Sequence, residues 1–217
     1  LIDLCVYPSE IKGLIGSSGC GKTTLVKRIL GLIEGSGTVK LSGGRTGVVF
    51  QDPITCLNPS HNVFWHLKEA LRPVKNKMTK EALIRLCEET LSTVGLESYY
   101  LTRRPHQLSG GQRQRVSIAM CLITDPALII ADEPFSSLDA TSAAEILRIL
   151  TRINRERGCA ILLITHNIHV VRSVCSSVAV MDRGTIEEDG QTDKVLDNPS
   201  SRAAIGLLEA EKKIHNV

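Results

Sequence analysis

The sequence predicts an α/β fold: a parallel sheet whose strands alternate with helices, interrupted once by a block of helices. Three observations predict it. Short apolar runs of four to six residues, too brief for helices, recur along the 217-residue chain. Helical patterns lie between them, as the crossovers of a parallel sheet require. The interval from Pro53 to Thr124 breaks that alternation and carries helical patterns alone.

The first run, Ile11–Ile15, reads as a buried strand. It leads into Gly16-Ser17-Ser18-Gly19-Cys20-Gly21-Lys22-Thr23, the pattern G-x-x-x-x-G-K-[ST], and then into a helical stretch from Lys22 to Leu32. Strand, glycine loop and helix in that order are the context a phosphate-binding loop needs. Glycines let successive backbone N–H groups face one anion, and the helix N-terminus adds roughly half a positive charge. Lys22 is then placed to reach the β- and γ-phosphates, and Thr23 to offer its hydroxyl to Mg²⁺. A glycine turn with a solvated lysine is the bland alternative, and it explains the residue types without the context.

Gly47–Phe50 is the next strand-like run, and Gln51 follows it. Helical patterns then occupy Val63–Leu71, Lys80–Val94, with Gly95 as a C-terminal stop, and Gly110–Leu122. Ser109 stands where an N-cap belongs. Ala127–Ala131 is apolar without interruption, as in a strand buried on both faces, and it delivers Asp132 and Glu133 at its C-terminal end. Ligands of open α/β sheets collect at that edge. Two adjacent carboxylates there can divide the work, Asp132 holding Mg²⁺ through water and Glu133 polarising an attacking water. Standing alone, the pair is equally an acidic turn stopped by Pro134.

Ser137-Leu138-Asp139 reads as a helix N-cap before Ala140 to Arg155. Cys159–Ile164 is a further buried strand with Thr165-His166 at its end. A metal pair of His166 and His169 lacks a third ligand at suitable spacing. Ser177–Met181 and Thr185–Asp189 read as late strands, and terminal helices follow from Thr192 to Leu208.

Composition narrows the function classes. A formal charge of +3 gives no strongly basic surface and argues against nucleic acid as a partner. Arg113, Arg115 and the pair Arg103-Arg104 read as solvated or interface charges. Seven cysteines, scattered singly without a C-x-x-C spacing, fit free thiols in a reducing cytoplasm. Cys20 sits inside the glycine loop, so its alkylation is a route to inactivation. The apolar runs fall short of the roughly 20 residues that span a bilayer, and no signal-like segment appears. Any membrane role comes through a partner.

Leu108-Ser109-Gly110-Gly111-Gln112, running on through Arg113-Gln114-Arg115-Val116, resembles the signature of the ATP-binding cassette (ABC) ATPases. The resemblance covers almost the whole chain. It implies a P-loop NTPase (RecA-like) core over 1–52 and 125–217, an inserted helical signature subdomain over 53–124, and a short antiparallel β element of which Thr38–Leu41 is the remnant. It implies ATP and Mg²⁺ as cofactors and ATP hydrolysis as the activity. Gly16 to Thr24, including Thr24 itself, cradle the nucleotide; Thr23, Gln51 and Asp132 serve the metal; Glu133, His166 and Gln51 are catalytic. Ser109, Gly110 and Gly111 contact the γ-phosphate held by the opposite subunit of a head-to-tail dimer, and Gln112 belongs to the same nucleotide-binding set. Asp139 belongs to the family's D-loop at that interface.

Gln51-Asp52-Pro53-Ile54-Thr55-Cys56-Leu57-Asn58-Pro59 looks like the extended Q-loop of importers for peptides and nickel or related metal chelates. Asn198-Pro199-Ser200 looks like the same branch, although Ser200-Ser201-Arg202-Ala203 replaces a frequent His-Pro-Tyr-Thr. In that branch two cassettes, identical or paralogous, sit beneath two transmembrane subunits at the cytoplasmic face, and an extracytoplasmic binding protein delivers the substrate. The family's adenine-stacking aromatic residue has no counterpart here, Tyr7 lying too close to the loop, and the region from Gly31 to Gln51 is short. The alternative function is an ABC ATPase without transport, such as an accessory of a phosphonate (carbon–phosphorus lyase) complex.

Overall fold

A computed structural model describes residues 2–41, 43–52, 56–74 and 78–215. In chain order its main elements are β1 (Ile11–Gly16), α1 (Lys22–Ile29), β2 (Arg45–Val49), α2 (Val63–Ala70), α3 (Lys80–Thr93), α4 (Gly110–Leu122), β3 (Pro126–Asp132), α5 (Ala140–Arg157), β4 (Ala160–Ile164), α6 (Ile168–Val174), β5 (Ser177–Asp182), β6 (Thr185–Gln191), α7 (Thr192–Asp197) and α8 (Arg202–His215). Short 3-10 turns stand at Ser98–Thr102 and Pro105–Gln107. The chain divides into two compact units, Leu1–Ser42 with Asn154–Val217, and Gly43–Ile153.

In the first unit the strands run in the order β4-β1-β5-β6. β1 is parallel to both neighbours, with Leu14 opposite Ile164 on β4 and Ala179 on β5. β1 and β4 are buried at every residue, which is why both read as uninterrupted apolar runs. The exception is Lys12, 4% exposed, whose ammonium meets Asp189 at 2.6 Å. A lysine is tolerated at that depth only because a carboxylate accompanies it.

β6 pairs antiparallel with β5, so the antiparallel element of this unit lies near the C-terminus. The expected remnant at Thr38–Leu41 forms no strand. The run is too short and exposed to pair, with Val39 and Leu41 both open to solvent. α1 also stops before the expected Leu32. Gly31, at φ 69°, donates to Arg28, and Leu32 donates to Lys27, the paired bonds of a left-handed helix stop. The terminal helical stretch divides at Asn198-Pro199, and the Glu188 carboxylate accepts from the N–H groups of Ser200 and Ser201 where α8 begins.

In the second unit β2 is parallel to β3, with Val49 opposite Ala131. α2, α3 and α4 pack on one another, and α4 packs against β2. Gly47 makes that last contact possible, since a Cβ there would lie 2.1 Å from the Cys121 sulfur. α5 buries Ile146, Ile149, Leu150 and Ile153, the i, i+3, i+4, i+7 stripe of an amphipathic helix. No helix among the described residues is long and apolar enough to cross a membrane.

Candidate nucleotide site

The first unit carries the phosphate loop in the order the sequence predicts. β1 ends at Gly16 and α1 opens at Lys22. Between them Gly19 and Gly21 take φ values of 79° and 111°, a region closed to most side chains. Gly21 occupies the cap position of α1 and supplies no side-chain acceptor, so nothing from the cap residue covers the first helical N–H groups. Ser17, Ser18, Gly19, Thr23 and Thr24 are exposed around them. Lys22 donates to the carbonyls of Gly16 at 2.7 Å and Ser17 at 3.0 Å, with the Cys20 sulfur at 3.7 Å. A helix start without a side-chain cap, a left-handed glycine pair and one ammonium make a cradle for an anion. Those features fit a nucleotide's phosphates.

Cys20 is 5% exposed, so a thiol reagent reaches it only when the loop opens. Sequence reasoning also missed the brace beneath the loop. The turn after β5 holds it from the side, with Gly184 N–H donating to the Cys20 carbonyl at 2.8 Å and the Ser17 hydroxyl donating to Asp182 at 3.4 Å. These residues are far downstream in the chain and match no motif, so only the strand order β1-β5-β6 brings them together.

His166 follows β4 and is exposed. Its neighbour Asn167 caps α6 by accepting from Val170 N–H at 3.1 Å, which fixes the backbone beside the histidine. His169 turns toward Glu211, 3.8 Å away. Among the described residues no group of three His, Cys, Asp or Glu side chains is arranged to hold a metal.

The second unit carries the remaining predicted residues. Gln51 is exposed just past the end of β2. Pro53, Ile54 and Thr55 of the extended Q-loop lie outside the described residues. The far end of that segment is held by His66, 2% exposed, which accepts the Asn58 N–H on Nε2 and bonds the Asn62 carbonyl through Nδ1, both at 2.8 Å. One nitrogen accepts and the other donates, so this imidazole is neutral. Burial pushes its pKa below 6.5, the charge of His61 adds to the effect, and the bonds to Asn62 and Asn58 oppose it.

Asp132 closes β3 and is 8% exposed, and Glu133 follows with φ 48°. A left-handed backbone at a non-glycine residue is costly and turns the chain sharply at the strand end. The Glu133 carbonyl accepts from Ser136.

Ser109 caps α4, its hydroxyl accepting from Gln112 N–H at 3.3 Å while the Gln112 amide oxygen accepts from Ser109 N–H at 2.9 Å. This is a complete capping box. The Gln112 amide nitrogen is used as well, donating to the Tyr100 hydroxyl at 2.9 Å. Ser109 and Gly110 remain exposed. Gly111 is buried because a Cβ there would meet the Ser142 hydroxyl at 3.0 Å. Asp139 accepts from the N–H and hydroxyl of that same Ser142, bonds that lower its pKa. Signature and D-loop thus touch within one unit. Arg113 and Arg115, read from sequence as solvated or interface charges, are used locally: Arg113 donates to the Pro105 carbonyl and Arg115 bridges Gly95 and Glu145.

Comparisons with known proteins identify the family and the fold. The model of the ABC transporter family matches residues 1–136. The probable D,D-dipeptide transport ATP-binding protein DdpF of Escherichia coli K12 is 39% identical, over 96% of this chain and 68% of its own. The oligopeptide transport ATP-binding protein OppF of Bacillus subtilis 168 is 36% identical, over 94% and 73%. Among solved structures, the dimer of MJ0796, a bacterial ABC transporter cassette, is 27% identical with a TM-score of 0.77, covering 88% of this chain and 89% of that one. A post-hydrolysis dimer of the same cassette, bound to ADP and Pi, superposes with a TM-score of 0.74 at the same identity and coverage.

Proposed function

The chain belongs to the ABC transporter family as an ATP-hydrolysing subunit with a P-loop NTPase fold, and we propose that it energises an importer for small peptides. The observation that carries the ATPase reading is the open loop before α1, with Gly19 and Gly21 left-handed and Lys22 at its rim. The peptide branch is supported by the similarity to DdpF and OppF along nearly the full chain.

In this reading the N–H groups from Gly16 to Thr24 and the Lys22 ammonium bind the β- and γ-phosphates. Thr23, Asp132 and Gln51 would hold Mg²⁺, a role that suits a hydroxyl, a carboxylate and an amide oxygen. A bound ion would supply charge neutralisation to the phosphates. Glu133 orients a water and takes its proton as the oxygen attacks the γ-phosphorus; the bond to the β-phosphate oxygen breaks, leaving ADP and phosphate. His166 contacts the γ-phosphate and Gln51 senses its presence. Ser109, Gly110, Gly111 and Gln112 complete the site of a second cassette, identical or paralogous, and Asp139 lies at that interface. The cassette pair works at the cytoplasmic face beneath two transmembrane subunits, supplied by an extracytoplasmic binding protein.

The test is uptake of labelled di- and oligopeptides by cells carrying only a Glu133→Gln allele. Loss of peptide uptake with retained ATP binding supports the proposal. Normal peptide uptake overturns it, and loss of nickel uptake instead assigns the chain to metal-chelate import. The purified Glu133→Gln chain should hydrolyse ATP about 10²–10⁴ more slowly than wild type.

A further inference from the structure

The signature helix and the strand that leads to Gln51 share a seam with two fixed points. At one, Cys121 near the end of α4 meets Gly47 on β2, where a Cβ would have no room. At the other, Gln114 meets Phe50, its Nε2 donating to the Phe50 carbonyl at 3.3 Å. Seven residues of helix separate Gln114 from Cys121, an advance of about 10.5 Å. Three residues of strand separate Gly47 from Phe50, an advance of about 10 Å. The two lengths agree when α4 runs opposite to β2, so both fixed points hold along one line.

Gln114 is out of place by the rules of packing. It is 1% exposed, on a helix that also buries Val116, Ile118, Ala119 and Leu122. Its Oε1 is buried and has no partner among the described residues. A methionine of similar volume would fill the seam without the desolvation cost of that oxygen. Its polar neighbours are spent elsewhere, Arg113 on Pro105 and Arg115 on Gly95 and Glu145. The bond Gln114 makes is to the residue immediately before Gln51.

We propose that Gln114 is a positioning residue for Gln51: its amide ties the strand end that presents Gln51 to the helix that opens at Ser109. The inference rests on the reading of Gln51 as a group that serves the metal and senses the γ-phosphate. A displacement of α4, whose first turn carries Ser109 to Gly111, is passed to the Phe50 carbonyl through one hydrogen bond, with the Gly47–Cys121 contact as its pivot. Gln114 itself touches no reacting atom.

The experiment is steady-state ATPase kinetics and thermal melting of the purified full chain as wild type, Gln114→Met, Gln51→Ala and the double variant. Gln114→Met should lower kcat by up to about tenfold, the range of one neutral hydrogen bond, with KM for ATP within about twofold of wild type. Its melting temperature should be unchanged or higher, because the buried oxygen is gone. In the Gln51→Ala background Gln114→Met should cost nothing further, as expected of residues acting in series. Gln114→Asn, an amide one methylene too short for Phe50, should behave like Gln114→Met. Unchanged kcat in Gln114→Met, a loss that adds in full to that of Gln51→Ala, or a loss accompanied by a lower melting temperature overturns the proposal. Full turnover in Gln51→Ala overturns instead the reading of Gln51 on which it rests.

Discussion

The phosphate loop and the signature are both glycine-rich turns that open a helix, yet they solve opposite problems. Before α1 the glycines are needed for backbone angles, and Gly21 leaves the helix start without a side-chain cap. Before α4 the two glycines are already helical residues, and the helix start is closed by the Ser109–Gln112 box. Gly111 is needed for proximity, because Ser142 stands against it. A helix start left without a side-chain cap creates affinity for an anion within its own unit. One that is capped stays folded without a ligand, and an arriving phosphate can use only what the cap leaves exposed, the Ser109 hydroxyl and the Gly110 backbone.

The contrast can be broken most forcefully at Lys22. Lys22→Ala should weaken ATP binding about 10–100-fold, the value of one charge-assisted hydrogen bond, without lowering the melting temperature; calorimetric titration and thermal melting check the two halves. Gly111→Ala should do the reverse. Crowding Ser142 should cost about 1–3 kcal/mol of stability in denaturant unfolding while ATP affinity stays at the wild-type value. Ser109→Ala removes half the capping box and should cost about 1 kcal/mol, read in the same unfolding curves. An unchanged midpoint would mean that the box contributes nothing to the fold.

The smallest effect is a pH dependence at His66. Its pKa in the folded chain lies below 6.5, so above pH 6.5 both folded and unfolded forms hold it neutral. As pH falls below 6.5 the unfolded chain takes up the proton first, and stability declines until the folded pKa is reached, then levels off. Unfolding midpoints measured across that window should fall less steeply in His66→Gln than in wild type. Equal slopes would remove His66 from the account.

Most of the architecture was legible because buried parallel strands announce themselves as apolar runs, unbroken in β4 and interrupted in β1 only by Lys12. The helix over Gly110–Leu122 was legible to the residue, since Ser109 and Gln112 spell its cap. Thr38–Leu41, expected from the resemblance as a strand remnant, is too short and exposed to pair. The motif residues could be named from their patterns together with the family resemblance, and their supports could not. Asp182 and Gly184 brace the phosphate loop across the sheet, His66 holds Asn58, and Gln114 reaches Phe50. Each is a single polar side chain or glycine without pattern, meaningful only once distant segments are adjacent.

The ammonium of Lys22 resting on the carbonyls of Gly16 and Ser17 gives the loop its own substitute for a ligand. In the proposed role, nucleotide entry is an exchange of partners, in which the lysine gives up two dipoles to gain a phosphate, and departure is the same exchange run backwards. The net affinity is smaller than a bare lysine–phosphate pair would give. A machine that must let go of its spent fuel on every cycle gains from that moderation.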